Sequence, residues 1–118
     1  ICDDAKKYLR GIRPDEFDVI ILDPPAFIKD RRKIKEGIIG YKNINESALK
    51  ILPDDGILVT CSCSAHLSLQ DFRYLLSEAG GRAKRSIRFL DTYTQGIDHG
   101  ELAPFTESEY LKCYIAMV

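Results

Sequence analysis

Phe17-Asp18-Val19-Ile20-Ile21-Leu22 runs into Asp23-Pro24-Pro25-Ala26-Phe27, and further on Gly56-Ile57-Leu58-Val59 runs into Thr60-Cys61-Ser62-Cys63-Ser64. Residues 17–23 are a continuous apolar run, the pattern of a strand buried on both faces. Pro24-Pro25 ends it, because neither ring nitrogen can donate a ladder hydrogen bond. Residues 57–62 predict a second central strand. In a parallel α/β sheet, ligands bind outside the carboxyl ends of the strands. If both runs are parallel strands, a carboxylate, a rigid diproline corner and a thiol converge on one rim. Those are the groups needed to add a nucleophile to a flat heterocycle and to manage the charge that results.

Working outward, Asp3 or Asp4 opens a helix from Ala5 to about Ile12, since an aspartate oxygen at the N-cap accepts an orphan backbone N–H. Ile1-Cys2 reads as the end of a preceding strand, and Arg13 to Glu16 as a polar break. Residues 26–41 are basic, interrupted and glycine-containing, which predicts a long functional loop or mobile lid. Asn43 to Leu52 reads as a helix with Ile44, Ala48, Leu49 and Leu52 on one face. Pro53-Asp54-Asp55-Gly56 is a turn by composition. Ser68 caps a helix over 69–80 that Gly80-Gly81 closes. Residues 83–90 and 110–118 predict two more strands, with an irregular stretch between. The order β-α-β-loop-α-β-α-β-β predicts one half of a three-layer α/β/α fold that ends in an antiparallel strand pair. Nothing in the chain matches the G-x-G-x-x-G turn that such a nucleotide-binding sheet carries after its first strand.

At 118 residues the chain is at most one small domain, and 45% hydrophobic with 30% charged residues describes an ordinary globular composition. A net charge of −1 leaves any attraction to phosphate to local patches, of which Lys29 to Lys35 and Arg82 to Arg88 are the candidates. No apolar run is long enough to span a bilayer, and no charged-then-apolar leader opens the chain. The four cysteines, Cys2, Cys61, Cys63 and Cys113, do not space as a disulfide framework. They predict a reducing, cytoplasmic compartment. A zinc site is not expected, because C-x-C has no second ligand pair and the two histidines show no ligand spacing. Ile1 at the start, not Met, predicts a piece of a longer protein, whose exposed half-sheet edges would pair with missing strands or a second copy.

The whole of residues 1–118 resembles the C-terminal part of the catalytic domain of Rossmann-like S-adenosylmethionine-dependent RNA methyltransferases. The nearest likeness is to the large-subunit ribosomal RNA cytosine-C5 methyltransferase I family. Phe17 to Phe27 resembles that family's fourth motif and Gly56 to Ser64 its sixth. Gly40-Tyr41-Lys42-Asn43-Ile44-Asn45 resembles its helix entry, and Asp98-His99 with Glu109-Tyr110-Leu111-Lys112 its terminal signature. Gly100 departs from the pattern, standing where the family has proline. Residues 1–118 show no match to the family's motif-one cofactor loop or to its N-terminal RNA-binding domain, both of which are expected upstream in the longer protein. The resemblance implies S-adenosylmethionine as cofactor, ribosomal RNA as partner and methyl transfer to carbon-5 of a cytosine. It also implies that Asp4, less readily Asp3, accepts from the cofactor adenine, and that Asp98 and His99 sit on the rim of the site.

The chemistry is consistent with these residues. Carbon-5 of cytosine is a poor nucleophile until a thiolate adds at carbon-6, which splits one hard step into two. A free cysteine, with pKa ~8.5, is only slightly ionised at neutral pH, so the site must favour the thiolate. Cys61 and Cys63 lie on one strand face, because side chains alternate with period two. Cys63 is nearer the carboxyl end and is the expected nucleophile, with Cys61 as a small buried side chain. Asp23 is the expected partner of the pyrimidine edge and touches the cofactor site together with Pro24. Pro25, Tyr41 and Lys42 are expected beside the substrate. Phe27 either stacks on the base or packs within its loop. Two rival readings stay open. The same corner serves N-methylation of guanine or adenine without a cysteine nucleophile. Alternatively, the piece is an inactive fragment or a binding module.

Overall fold

The structure, a computed structural model, describes residues 2–100, 104 and 109–118. Its elements are α1 (Ala5–Gly11), β1 (Val19–Leu22), a short 3-10 turn (Arg31–Lys33), α2 (Ile34–Ile51), β2 (Ile57–Ser62), α3 (Leu69–Ala83), β3 (Arg88–Tyr93) and β4 (Lys112–Met117). The strand end expected at Ile1 lies outside the described residues, as does most of the stretch between Gly100 and Glu109.

The four strands form one sheet in the order β1-β2-β4-β3. β1 and β2 are parallel, with Leu22 opposite Thr60, and α2 crosses between them. The last strand inserts between β2 and β3 and runs antiparallel to both. This is the Rossmann-like α/β sheet with an antiparallel pair at its end.

All three helices cover one face of the sheet. Ile20 and Leu22 of β1 and Leu58 of β2 pack with Leu9, Ile44, Ala48, Leu49, Leu52 and Ala79. Tyr114 of β4 packs with Tyr41, Phe72, Leu75 and Leu76. The alternate residues face the other way, and there Val19 is 52% and Ile21 69% exposed. The apolar run therefore does not become a strand buried on both faces. The described residues supply the sheet and a single helical layer, so only every second side chain of β1 is covered.

Helix boundaries differ from expectation as well. α2 begins nine residues before the expected Asn43, with Asp30 accepting from Arg32 N at the entry of the 3-10 turn that leads into it. The expected loop or lid over 26–41 shrinks to the segment before Arg31. α3 likewise passes through Gly80-Gly81 and stops at Lys84, whose left-handed backbone (φ 58°) forms its C-cap. Gly80 is a packing residue: a Cβ there would lie 2.8 Å from Ile87 Cδ1. β3 starts later than expected, because residues 84–87 are used in the helix cap and in this packing.

The α2–β2 turn is held from outside. Arg85 donates to Leu52 O (3.0 Å) and Pro53 O (2.9 Å) and pairs with Asp54. Asp55 takes the left-handed conformation (φ 65°) that the turn composition predicts.

Candidate active site

Chain direction places the carboxyl tips of β1 and β2 side by side. Beyond the pair Leu22–Thr60, β1 gives way to Asp23, while β2 continues through Cys61, which pairs with Cys113 of β4. Cys63 follows directly after the end of β2.

A buried polar cluster ties the two tips together. Ser64 Oγ and Tyr41 Oη are hydrogen-bonded at 2.9 Å, and Ser64 Oγ accepts from Ile28 N at 3.2 Å. Phe27 N donates to Tyr41 Oη at 3.4 Å. Asn45 donates through Nδ2 to Tyr41 O and accepts from Thr60 Oγ1 at 2.7 Å. The post-β1 segment is thus anchored to the post-β2 segment through one helix turn of α2. Tyr41→Phe removes a buried hydroxyl that serves two partners. It should cost about 1–2 kcal/mol in chemical denaturation, and an unchanged midpoint would show that the cluster does not hold the tips.

Asp4, Lys6, Asp23, Pro24, Pro25 and Phe27, with apolar walls from β1 and α2, line a cavity of about 510 Å³. That is within the usual range for small-molecule sites, which are mostly apolar with a few placed polar groups. Asp4 is at once the N-cap of α1, accepting from Lys7 N at 2.9 Å, and part of this wall. Phe27 resolves towards packing. Its ring lies 4.7 Å from Tyr41, and Lys6 Nζ sits over it at 4.9 Å from the centroid.

Two expected substrate residues are not on this wall. Tyr41 is fully buried beneath the tips, where it acts on backbone and on Ser64. Lys42 turns to α3 and pairs with Glu78 at 2.8 Å. The i, i+1 positions of a helix face different directions, so both could not have pointed at one ligand. Asp98 and His99 pair with each other at 3.2 Å and are exposed. Of the basic stretches, Arg82 bonds Glu46 and Arg85 clamps the turn, so the second is largely occupied by structure. In the first, Arg32 is neutralised by Asp30. Among the described residues no His, Cys, Asp and Glu cluster could hold a metal ion, and no helix is long and apolar enough to cross a membrane.

Burial, a hydrogen bond with Cys113 directly across the ladder and the charges of Asp23 and Cys63 push Cys61 up to about 12. Cys61 therefore stays a thiol at neutral pH. Sequence reasoning gave no site role to two cations. Lys6 was hidden in an ordinary helix turn, and Lys112 at the start of a strand that reads as apolar. Lys112 is only 4% exposed, and its Nζ donates to Ser64 O at 2.8 Å and Tyr110 O at 2.9 Å.

The fold and the paired tips define a methyltransferase-type α/β sheet, and solved structures agree. A candidate S-adenosylmethionine-dependent methyltransferase from Streptococcus mutans superposes with TM-score 0.76 at 22% identity, over 98% of this chain and 30% of that one. A candidate methyltransferase complexed with SAH gives TM-score 0.76 at 24% identity, over 100% and 30%. A Thermus thermophilus structure described as a candidate DNA modification methylase, complexed with S-adenosyl-L-methionine, gives 0.62 at 10% identity, over 97% and 50%. In sequence, the chain is 36% identical to ribosomal RNA large subunit methyltransferase I of Escherichia coli O1:K1 and of Enterobacter sp. (strain 638). Each match covers 98% of this chain and 30% of the relative, so the chain spans under a third of their length. No family profile matches the chain.

Proposed function

We propose that the chain is the C-terminal part of an S-adenosylmethionine-dependent methyltransferase domain that methylates carbon-5 of a cytosine in large-subunit ribosomal RNA, in the cytoplasm, with Cys63 as nucleophile. The observation that carries this reading is the parallel pairing of β1 and β2, with Leu22 opposite Thr60, so that the segments following the two strands leave the sheet at one edge. In this reading Cys61, which burial and Cys113 push up to about 12, is not the nucleophile. Similarity over nearly the whole chain to the ribosomal RNA enzymes supports the substrate class.

The cavity beside α1 fits the cofactor. Its apolar walls suit a purine, and Asp4 and Asp23 supply acceptors for an amine. The bound cofactor would supply an electrophilic methyl group; Asp4, Asp23 and Pro24 would hold it. On the substrate side, a bond forms between Cys63 Sγ and carbon-6, which makes carbon-5 nucleophilic. Asp23 shares a proton with the pyrimidine edge as negative charge moves onto the ring, and the Pro24-Pro25 backbone offers a carbonyl to the exocyclic amine. After carbon-5 has gained the methyl, its proton passes to a base or to water, the electron pair left behind re-forms the carbon-5–carbon-6 double bond, and Cys63 Sγ departs as the thiolate. Pro25 would shape the base side of the corner. Phe27 supports it from below.

RNA carrying 5-fluorocytosine tests the reading. Fluorine at carbon-5 cannot leave as a cation, so the adduct accumulates on the protein with one RNA per Cys63. Methylated product without any trapped adduct would instead favour transfer to a ring or exocyclic nitrogen.

A further inference from the structure

Lysine is almost never fully buried without an anionic partner, yet Lys112 is 4% exposed and its bonding partners among the described residues are two neutral carbonyls. One of them belongs to Ser64, the residue directly after Cys63. Lys112 is the ladder partner of Ser62, directly before Cys63. The backbone of Lys112 is thus paired one residue before Cys63, and its ammonium is bonded one residue after it. Burying a charge against neutral oxygens is costly, and a hydrophobic residue would close this strand tip at lower cost.

Resting on the covalent reading above, we propose that Lys112 is a positioning residue for it: its ammonium fixes the Cys63-Ser64 backbone and supplies the positive charge against which the Cys63 thiolate forms. Burial holds Lys112 below the ordinary lysine value, and Cys63 just past β2 and Glu109 ahead of β4 oppose that lowering. His66, ahead of α3, and Asp71, in its first turn, share with it a cavity of about 370 Å³. Glu109, exposed at the mouth of that cavity, competes with Cys63 for the same cation.

The test reads thiolate formation apart from catalysis, as the rate of Cys63 alkylation by iodoacetamide followed by peptide mass in the intact protein. Lys112→Met should slow alkylation near neutral pH about tenfold and move its rise to higher pH, whereas Lys112→Arg, which keeps the charge, should stay within about twofold. Glu109→Gln is a surface change that leaves the packing alone, and it should speed alkylation about twofold by freeing the ammonium. An unchanged rate in Lys112→Met, or in Glu109→Gln where the first variant does not fold, overturns the role. The fluorocytosine trap separates the two ideas. If alkylation responds as expected while no RNA adduct forms, the thiolate device stands and the methyl-transfer reading fails. An adduct on Cys63 whose alkylation ignores Lys112 does the reverse.

Discussion

Replacing Cys63 by alanine should abolish methyl transfer in the intact protein, by on the order of 10⁴-fold or more, because removing a covalent nucleophile removes the step that activates the ring. Cofactor binding should persist, since the cavity that would hold it is walled by α1 and the post-β1 corner and does not include Cys63. Cys61→Ala is the matched control. It removes a thiol that burial and Cys113 keep protonated. Its effect should be confined to about 1 kcal/mol of stability from lost packing, with turnover within a few-fold. Measured side by side, the two variants assign the nucleophile. Activity retained in Cys63→Ala and lost in Cys61→Ala would reverse the assignment. Activity retained in both would remove the thiol from the mechanism.

Gly37→Ala should have the next largest effect, although a glycine carries no reacting group. In an exposed helix interior this change stabilises by about 1 kcal/mol. At Gly37 the new Cβ would stand 2.3 Å from Ile28 Cγ1 and 2.9 Å from the carbonyl oxygen of Phe27. Backbone cannot swing aside as a side-chain tip can, so the segment after the diproline corner must shift. Overpacking of this kind costs about 1–3 kcal/mol and outweighs the helix gain. A displacement near 1 Å at a catalytic corner costs roughly 10²-fold in rate. Gly81→Ala provides the contrast, since its Cβ would meet nothing within 4 Å. That variant should unfold at higher denaturant, with a gain of up to about 1 kcal/mol. If Gly37→Ala proved as benign as Gly81→Ala, the corner would not depend on the close approach of α2.

Glycines also explain why parts of the fold were hard to read. Glycine in a basic, interrupted segment signals a loop when only local propensity is considered. In α2, Gly37 lets the Phe27–Ile28 backbone lie against the helix, and the helix forms because that contact buries Ile28 and Tyr41. Gly80 misled in the same manner, where Ile87 packs across α3. The motif Gly40 to Asn45 was visible as a motif, but its role was not. Tyr41 and Asn45 turn inward to the Ser64 and Thr60 hydroxyls, which belong to a different strand and the segment that follows it.

Local chemistry settled a good deal. Prolines that cannot donate ended β1, Ser68 capped α3 through Asp71 N, and the Pro53 to Gly56 turn launched β2 at Ile57. The apolar run over residues 57–62 marked β2 with the bounds it has in the sheet. These follow from properties of a residue and its near neighbours along the chain. What needed the assembled sheet were contacts between distant segments. Those are the insertion of β4 beside β2, which puts Cys113 against Cys61 and makes it a poor thiolate, and the burial of Lys112 at the tip that carries Cys63. A side chain's charge state depends on which groups and how much water surround it in space, and strand order, not sequence position, decides that.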